Sequence, residues 1–308
     1  MYNHEKPEEG NLVTQQRTAT IQLISAMLIF GSIGLFVRYI SVPSALIALV
    51  RAVIGVLFLF GVILLRKKKL SMDAIRKNLL LLVVSGVAIG FNWILLFESY
   101  RFTSVAVGTL CYYMAPMIVI LLSPLVLKEK LTVRKCFCVL ASVCGMALIS
   151  GIGSGSLDTP GTLQGVLFGL GAAVLYASVI VMNKHITDIG AYDKTITQLF
   201  VAGIVLVPYN LWTVEWPTLS LNISGVVLLA FVGIVHTGFA YYLYFGSMEH
   251  LTGQSIAIFS YIDPVVAVLA SVVLLREPFN LCNLMGSFII IGSSVVSELP
   301  IGKWRQSW

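Results

Sequence analysis

Charge is scarce in this sequence: 11% of its 308 residues are charged, 58% are hydrophobic, and the mean hydropathy is +0.93. A soluble domain of that composition could not cover its apolar side chains, so water-soluble classes are excluded. Histidine is scarcer still. His4, His185, His236 and His250 are the full set, and none has a second His or Cys at metal-ligand spacing. Five cysteines occur (Cys111, Cys136, Cys138, Cys144, Cys282), and the nearest two have one residue between them. That spacing suits neither zinc nor redox pairs, and they read as small apolar packing residues. No GxxxxGK[ST] phosphate loop is present, so ATP drive would need another subunit. Paired acids, a histidine cluster and an activated nucleophile are also missing, which leaves no catalytic residue, metal or cofactor to expect.

What the chain has instead is long apolar runs, and it reads as an all-α integral membrane protein. A span needs roughly 20 apolar residues. Ten are predicted, at 19–40, 44–65, 78–99, 104–127, 133–151, 162–183, 195–214, 223–247, 253–275 and 281–299. Residues 1–18 and 300–308 read as polar tails, the first with no compact apolar core or small-residue cleavage pattern. Loops such as 152–161 and 215–222 are too short to fold alone.

The net charge of +6 and pI near 9.1 would point a soluble chain toward nucleic acid. Here sixteen of the twenty Lys and Arg residues fall in tails and alternate loops on one side of the predicted spans. Arg38, Arg101 and Arg276 lie at the other side and Arg51 inside a span. By the positive-inside rule both termini are expected in the cytoplasm, in the cell membrane, with lipid and no nucleic acid as partner.

An internal repeat organises the spans. Residues 104–132 and 252–280 align without a gap: Tyr113, Pro116, Lys128 and Glu129 match Tyr261, Pro264, Arg276 and Glu277 at an offset of 148, and Trp93 matches Tyr241. Five spans per copy is an odd number, so the copies at 19–151 and 162–299 are expected to insert with opposite polarity. Such inverted repeats characterise secondary transporters, whose substrate site lies between the halves near mid-membrane.

Tyr113-Met-Ala-Pro116 and Tyr261-Ile-Asp-Pro264, the pairs Lys128-Glu129 and Arg276-Glu277, the run Ala48-Leu-Val-Arg51-Ala and its counterpart Thr197-Gln198-Leu stand in one order. In that order they resemble the drug/metabolite transporter superfamily in its ten-helix, EamA-like form, over about residues 20–299. The resemblance implies export or uptake of small metabolites, commonly amino acids or related compounds, by alternating access. Glu98, Arg101 and His236 depart from the simplest pattern.

Candidate site residues follow from what a bilayer penalises. Pro116 would free the carbonyl of Tyr112, and Pro264 that of Ser260, and such groups must be satisfied by protein, water or substrate. Asp263 lies near the centre of span 9, where a carboxylate is costly away from a cavity or partner and where an acid can carry a coupling proton. Arg51 could grip a substrate carboxylate, snorkel outward or pair internally. Thr109, Tyr113 and Pro116 fall on one helical face, as do Ala257, Tyr261 and Pro264, and both faces are expected to line the cavity. Trp93 and Tyr241 would close its sides and Asn92 offer a polar contact. His236 is read as a packing or cavity hydrogen-bonding residue. Glu129 and Glu277 read as interfacial ion pairs with their neighbouring cations, with a latch between states as the alternative.

The leading expectation is a secondary transporter exporting small metabolites. A passive channel or facilitator is the alternative, and a polytopic enzyme is a distant third for want of catalytic groups. Gly145 and Gly292, small residues in spans 5 and 10, suit close helix contact either within one chain or in a homodimer.

Overall fold

The computed structural model describes residues 9–126, 128, 131–149, 162–219, 222–248 and 250–299. Among them all regular structure is helical. In the first repeat lie α1 (Glu9–Val37), α2 (Ser44–Leu65), the short α3 (Met72–Lys77), α4 (Leu79–Phe102), α5 (Val105–Tyr112), α6 (Ala115–Val126) and α7 (Val133–Ile149). The second holds α8 (Thr162–His185), α9 (Ala191–Thr213), α10 (Ile223–Gly233), α11 (Ala240–Met248), α12 (Gly253–Ser260), α13 (Ile262–Leu269) and α14 (Leu281–Glu298). π-helical segments at Ile234–Phe239 and Ala270–Leu274 extend α10 and α13.

Eight helices, counting α5–α6 and α10–α11 as continuous, are long and apolar enough to cross a membrane, and a shorter apolar helix covers Ile258–Leu274. The 17-residue α7 is the remaining long one. The first helix begins at Glu9, ten residues before the predicted span. Residues 9–18 of the predicted tail are thus helical, Glu9, Gln15 and Gln16 being good helix formers that let the apolar run propagate backward, and residues 1–8 lie outside the described residues.

Two ends of the bundle can be told apart by their contacts. At the basic end Lys77 meets Asp188 (2.6 Å), Asn78 donates to the Thr187 carbonyl (2.9 Å), and the Ser71 amide donates to Asp193 (3.1 Å). At the other end the Val105 amide, opening α5, donates to Glu277 just beyond the α13 extension (2.9 Å). The start of α5 therefore meets the chain just beyond the end of its mate in the second repeat.

Packing partners come in matched sets. α4 lies on α8 as α1 lies on α11, while α2 on α9 and α7 on α14 pair equivalent helices. In lipid no hydrophobic force joins helices, so small residues and polar bridges do. Gly145 and Gly286 bring the α7 and α14 backbones together: a Cβ on Gly286 would sit 2.7 Å from the Gly145 carbonyl. One turn away Ser142 and Ser293 hydroxyls bond at 2.6 Å. Gly145 is thus spent within the chain, whereas Gly292 meets nothing within 4 Å.

The repeat extends to backbone conformation. Lys128 and Arg276, equivalent by the 148-residue offset, both adopt left-handed φ, 55° and 53°, a common way for a helix to stop.

Candidate functional site

Both Tyr-x-x-Pro segments interrupt their helices. α5 stops at Tyr112 and α6 restarts at Ala115; α12 stops at Ser260 and α13 restarts at Ile262. Prolines 116 and 264 fall in the first turn after each break, where a missing N–H costs least. Around these breaks lies a chamber of about 190 Å³, walled by α1, α2, α4, α5, α8 and α11 to α13. A close approach of α1 makes one wall: a Cβ on Gly31 would collide with the Asp263 carbonyl oxygen.

The chamber carries one buried cation and one acid. Arg51 is 5% exposed, donates from Nε to Thr237 Oγ1 at 3.0 Å, and sets its guanidinium 4.0 Å from the Trp93 ring centre. Among the described residues no hydrogen bond occupies its two terminal nitrogens, which leaves that fork for a carboxylate. Thr237 sits in the π-helical turn at Ile234–Phe239, a distortion common at functional sites. Asp263, near the start of α13, lines the same chamber as Tyr113.

Aromatic rings form the rest. Tyr112 stacks on Tyr176 (5.1 Å, 26°) and meets Tyr113 edge-on (6.0 Å, 85°). Tyr241 stacks on Phe245 (5.6 Å, 15°), and the Tyr100 and Thr109 hydroxyls bond at 3.0 Å. Arg51, Trp93, Thr109, Tyr112, Tyr113, Tyr241 and Asp263 of the predicted set meet in this chamber.

The other predicted residues lie elsewhere. Pro116 and Tyr261 line a second cavity of about 430 Å³, which shares Tyr112, Tyr113, Tyr176, Ser260 and Asp263 with the chamber. It runs to the basic end, where Lys135, Lys184 and Glu298 line it. Pro264 is buried and lines neither cavity. The Ala257 side chain is outside the described residues. Asn92 is corrected: it faces α8 and donates to the Ala172 carbonyl at 2.6 Å, an inter-helix bond in place of a cavity contact. His236 is also outside the chamber, bonded to Ser32 Oγ at 3.1 Å with its ring between Phe36 and Phe231.

Sequence reasoning missed Tyr100, Tyr176 and Tyr244, all on the chamber wall. Tyr176 had a signal, a phenol alone in mid-span that needs a polar neighbour. Tyr244 is three residues from Tyr241 and so shares its face.

The end opposite the second cavity is closed. Arg38 donates to the Tyr100 carbonyl and approaches Glu277 at 3.6 Å, and Glu277 also accepts from Ser271 and the Val105 amide. Arg101 donates to the Val42 carbonyl beside them. Glu277, 10% exposed, therefore pairs with Arg38 across repeats and not with adjacent Arg276. Among the described residues no group of three potential metal ligands clusters.

Comparison with known proteins agrees with this architecture. The profile of the EamA-like transporter family matches twice, at residues 17–151 and 163–298. The uncharacterized transporters YxxF and YetK of Bacillus subtilis (strain 168) are 29% and 28% identical to this chain. The first alignment covers 92% of this chain and 90% of that relative, the second 96% and 91%. A crystal structure 18% identical shares the fold with a TM-score of 0.65, over 91% of this chain and 96% of that one. A chain matched by the profile in both halves is a multi-pass membrane protein of the EamA-like transporter family.

Proposed function

We propose that this transporter exports small zwitterionic metabolites, amino acids or related compounds, by alternating access around the chamber between its repeats. The observation that carries the reading is the pairing of Arg51 and Asp263 in one aromatic chamber, closed at one end and joined to a second cavity at the other. A cation with an open guanidinium fork suits a carboxylate, an acid suits an ammonium, and stacked tyrosines suit an apolar body.

In this reading the chain crosses the bilayer ten times as two inverted five-helix repeats, with α5–α6 and α12–α13 as the broken helices of the site. Both termini are cytoplasmic, in the cell membrane, because the lysine-rich end belongs inside. The conformation then faces inward, loading substrate past Lys135 and Lys184. Asp263 exchanges a proton when substrate leaves, coupling transport to the proton gradient.

Counterflow in proteoliposomes tests this. Vesicles preloaded with unlabelled compound should accumulate labelled amino acid, a pH gradient should change the extent, and matched amines or acids lacking one charge should exchange poorly. Equal flux for all three compounds, or no counterflow across a panel of amino acids, nucleosides and drugs, overturns it.

A further inference from the structure

A second site lies away from the chamber, on the outside of the α2–α9 pair. At the basic end a cavity of about 540 Å³ opens between the end of α2, the start of α9 and the end of α11. Arg66, Lys68 and Lys69 line it on one side. Arg66 is held over the Tyr192 and Tyr242 rings, 5.7 and 5.3 Å from their centres. Among the described residues neither Lys68 nor Lys69 has an ion-pair partner. The one acid in the lining, Asp193, is 9% exposed and accepts the Ser71 amide. The floor is apolar, with Ile63, Phe245 and Met248.

Further along the same two helices lies an apolar groove of about 290 Å³. Val53, Val56 and Leu57 of α2 face Phe200, Gly203 and Ile204 of α9 across it. The two cavities share no lining residue, but both lie along the α2–α9 seam, and Val56 of one and Ile63 of the other fall on one face of α2, two turns apart. From Arg66 to Val56 is ten residues, about 15 Å of helix, half the roughly 30 Å hydrocarbon thickness. Val53, Leu57, Phe200 and Ile204 are all more than 40% exposed, as residues facing lipid should be.

We propose that this seam binds one anionic glycerophospholipid, its phosphate among Arg66, Lys68 and Lys69 and one acyl chain in the α2–α9 groove. The inference requires only that the chain crosses a bilayer, not the transport reading. A phosphate needs the cations and an acyl chain needs the groove; only a lipid uses both. The leaflet is also right, because anionic lipids concentrate on the face that attracts Lys and Arg.

The test uses the full chain in neutral detergent, with phosphatidylglycerol, phosphatidylcholine or inorganic phosphate added, read by thermal unfolding and by native mass spectrometry. Phosphatidylglycerol should raise the unfolding midpoint and stay bound as a single adduct, with little effect from the other two. Lys68→Gln with Lys69→Gln, both at exposed positions, should weaken phosphatidylglycerol retention about thirtyfold, since each basic side chain near an anionic surface contributes roughly fivefold. Gly203→Leu, which fills the groove, should also weaken it while leaving the cations in place. Equal stabilisation by phosphatidylcholine, equal stabilisation by inorganic phosphate, or full retention in the lysine double variant each overturns the proposal. Should Gly203→Leu fail to fold, the lysine variant alone decides.

Discussion

The first repeat presents Ala115 where the second presents Asp263, and by the same offset the second presents Leu199, beside Gln198, where the first presents Arg51. Ala115 is fully buried, while Asp263 lines the chamber. Gln198 spends its amide on Ser85 (2.7 Å) and Asn183 (2.8 Å), tying α9 to α4 and α8, whereas Arg51 turns inward beside Trp93. A nearly symmetric scaffold thus holds a site with a cation from one half and an acid from the other. The aromatic lining stayed symmetric: Trp93 and its match Tyr241 face each other's repeat across the same space. Duplication supplies the shape of the chamber, and divergence at two positions supplies its charge.

Removing the acid should cost most. Asp263→Asn keeps the shape but not the charge, and transport of an amine-bearing substrate should fall roughly 10- to 100-fold, the scale of a charge-assisted contact of about 1.5–3 kcal/mol. The response to a pH gradient should vanish with it. Transport at the wild-type rate with unchanged pH response would make the two repeats functionally equivalent at this position.

Arg51→Gln, which keeps a polar side chain but removes the charge, should raise KM for carboxylate-bearing substrates about tenfold. The matching decarboxylated amines, measured in the same vesicles, should show little change. A uniform loss for both compounds would assign Arg51 to packing on Trp93 and Thr237 alone.

How far the sequence told this in advance depends on how local each feature is. Apolar runs and the Tyr-x-x-Pro repeat are local, so the helices, their breaks and Asp263 were all readable. Asn92 was not, because a polar residue in a span satisfies the bilayer equally by facing a cavity or a neighbouring carbonyl. The rotation of α4 against α8 decides that, and it turns Asn92 onto Ala172. The partner of Glu277 was equally hidden. Adjacent Arg276 was the obvious choice, but its left-handed backbone carries the chain out of the helix while Arg38, from α1, fills the place. The π-helical turn that brings Thr237 to Arg51 leaves no compositional trace, since it is one extra residue absorbed by packing.

The closed end offers a smaller effect whose sign separates the repeats. Glu277→Gln keeps an acceptor for the Val105 amide and removes the charge that attracts Arg38. A partly exposed pair is worth about 1 kcal/mol at most, so the closed state should lose about fivefold in population. Labelling of a Thr109→Cys variant, free of other cysteines, by an impermeant maleimide from outside should quicken accordingly. Glu129 lies outside the described residues, but the 148-residue offset makes it the counterpart of Glu277, and the proposed inversion of the repeats would set it at the opposite end. Glu129→Gln should therefore slow the same labelling. Changes of the same sign in both variants would mean that the two glutamates do not oppose each other.

The smallest effect belongs to the Lys77–Asp188 pair at the basic end, where the side chains are 62% and 70% exposed. The Lys77 ammonium holds the Asp188 carboxyl below its ordinary value of 3.8, chiefly through their hydrogen bond. A depressed carboxyl contributes stability above its unfolded pKa and loses it as pH falls through the folded one. Wild type should thus unfold slightly later than Lys77→Gln at neutral pH, and the difference should close as pH drops below 3.8. Added salt should shrink it as well, because water and ions screen both groups. At the other end Arg38 and Glu277 are better shielded, so salt should erase the Lys77 effect before it touches the Glu277→Gln labelling difference. That order of salt sensitivity follows directly from the unequal burial of the two ion pairs.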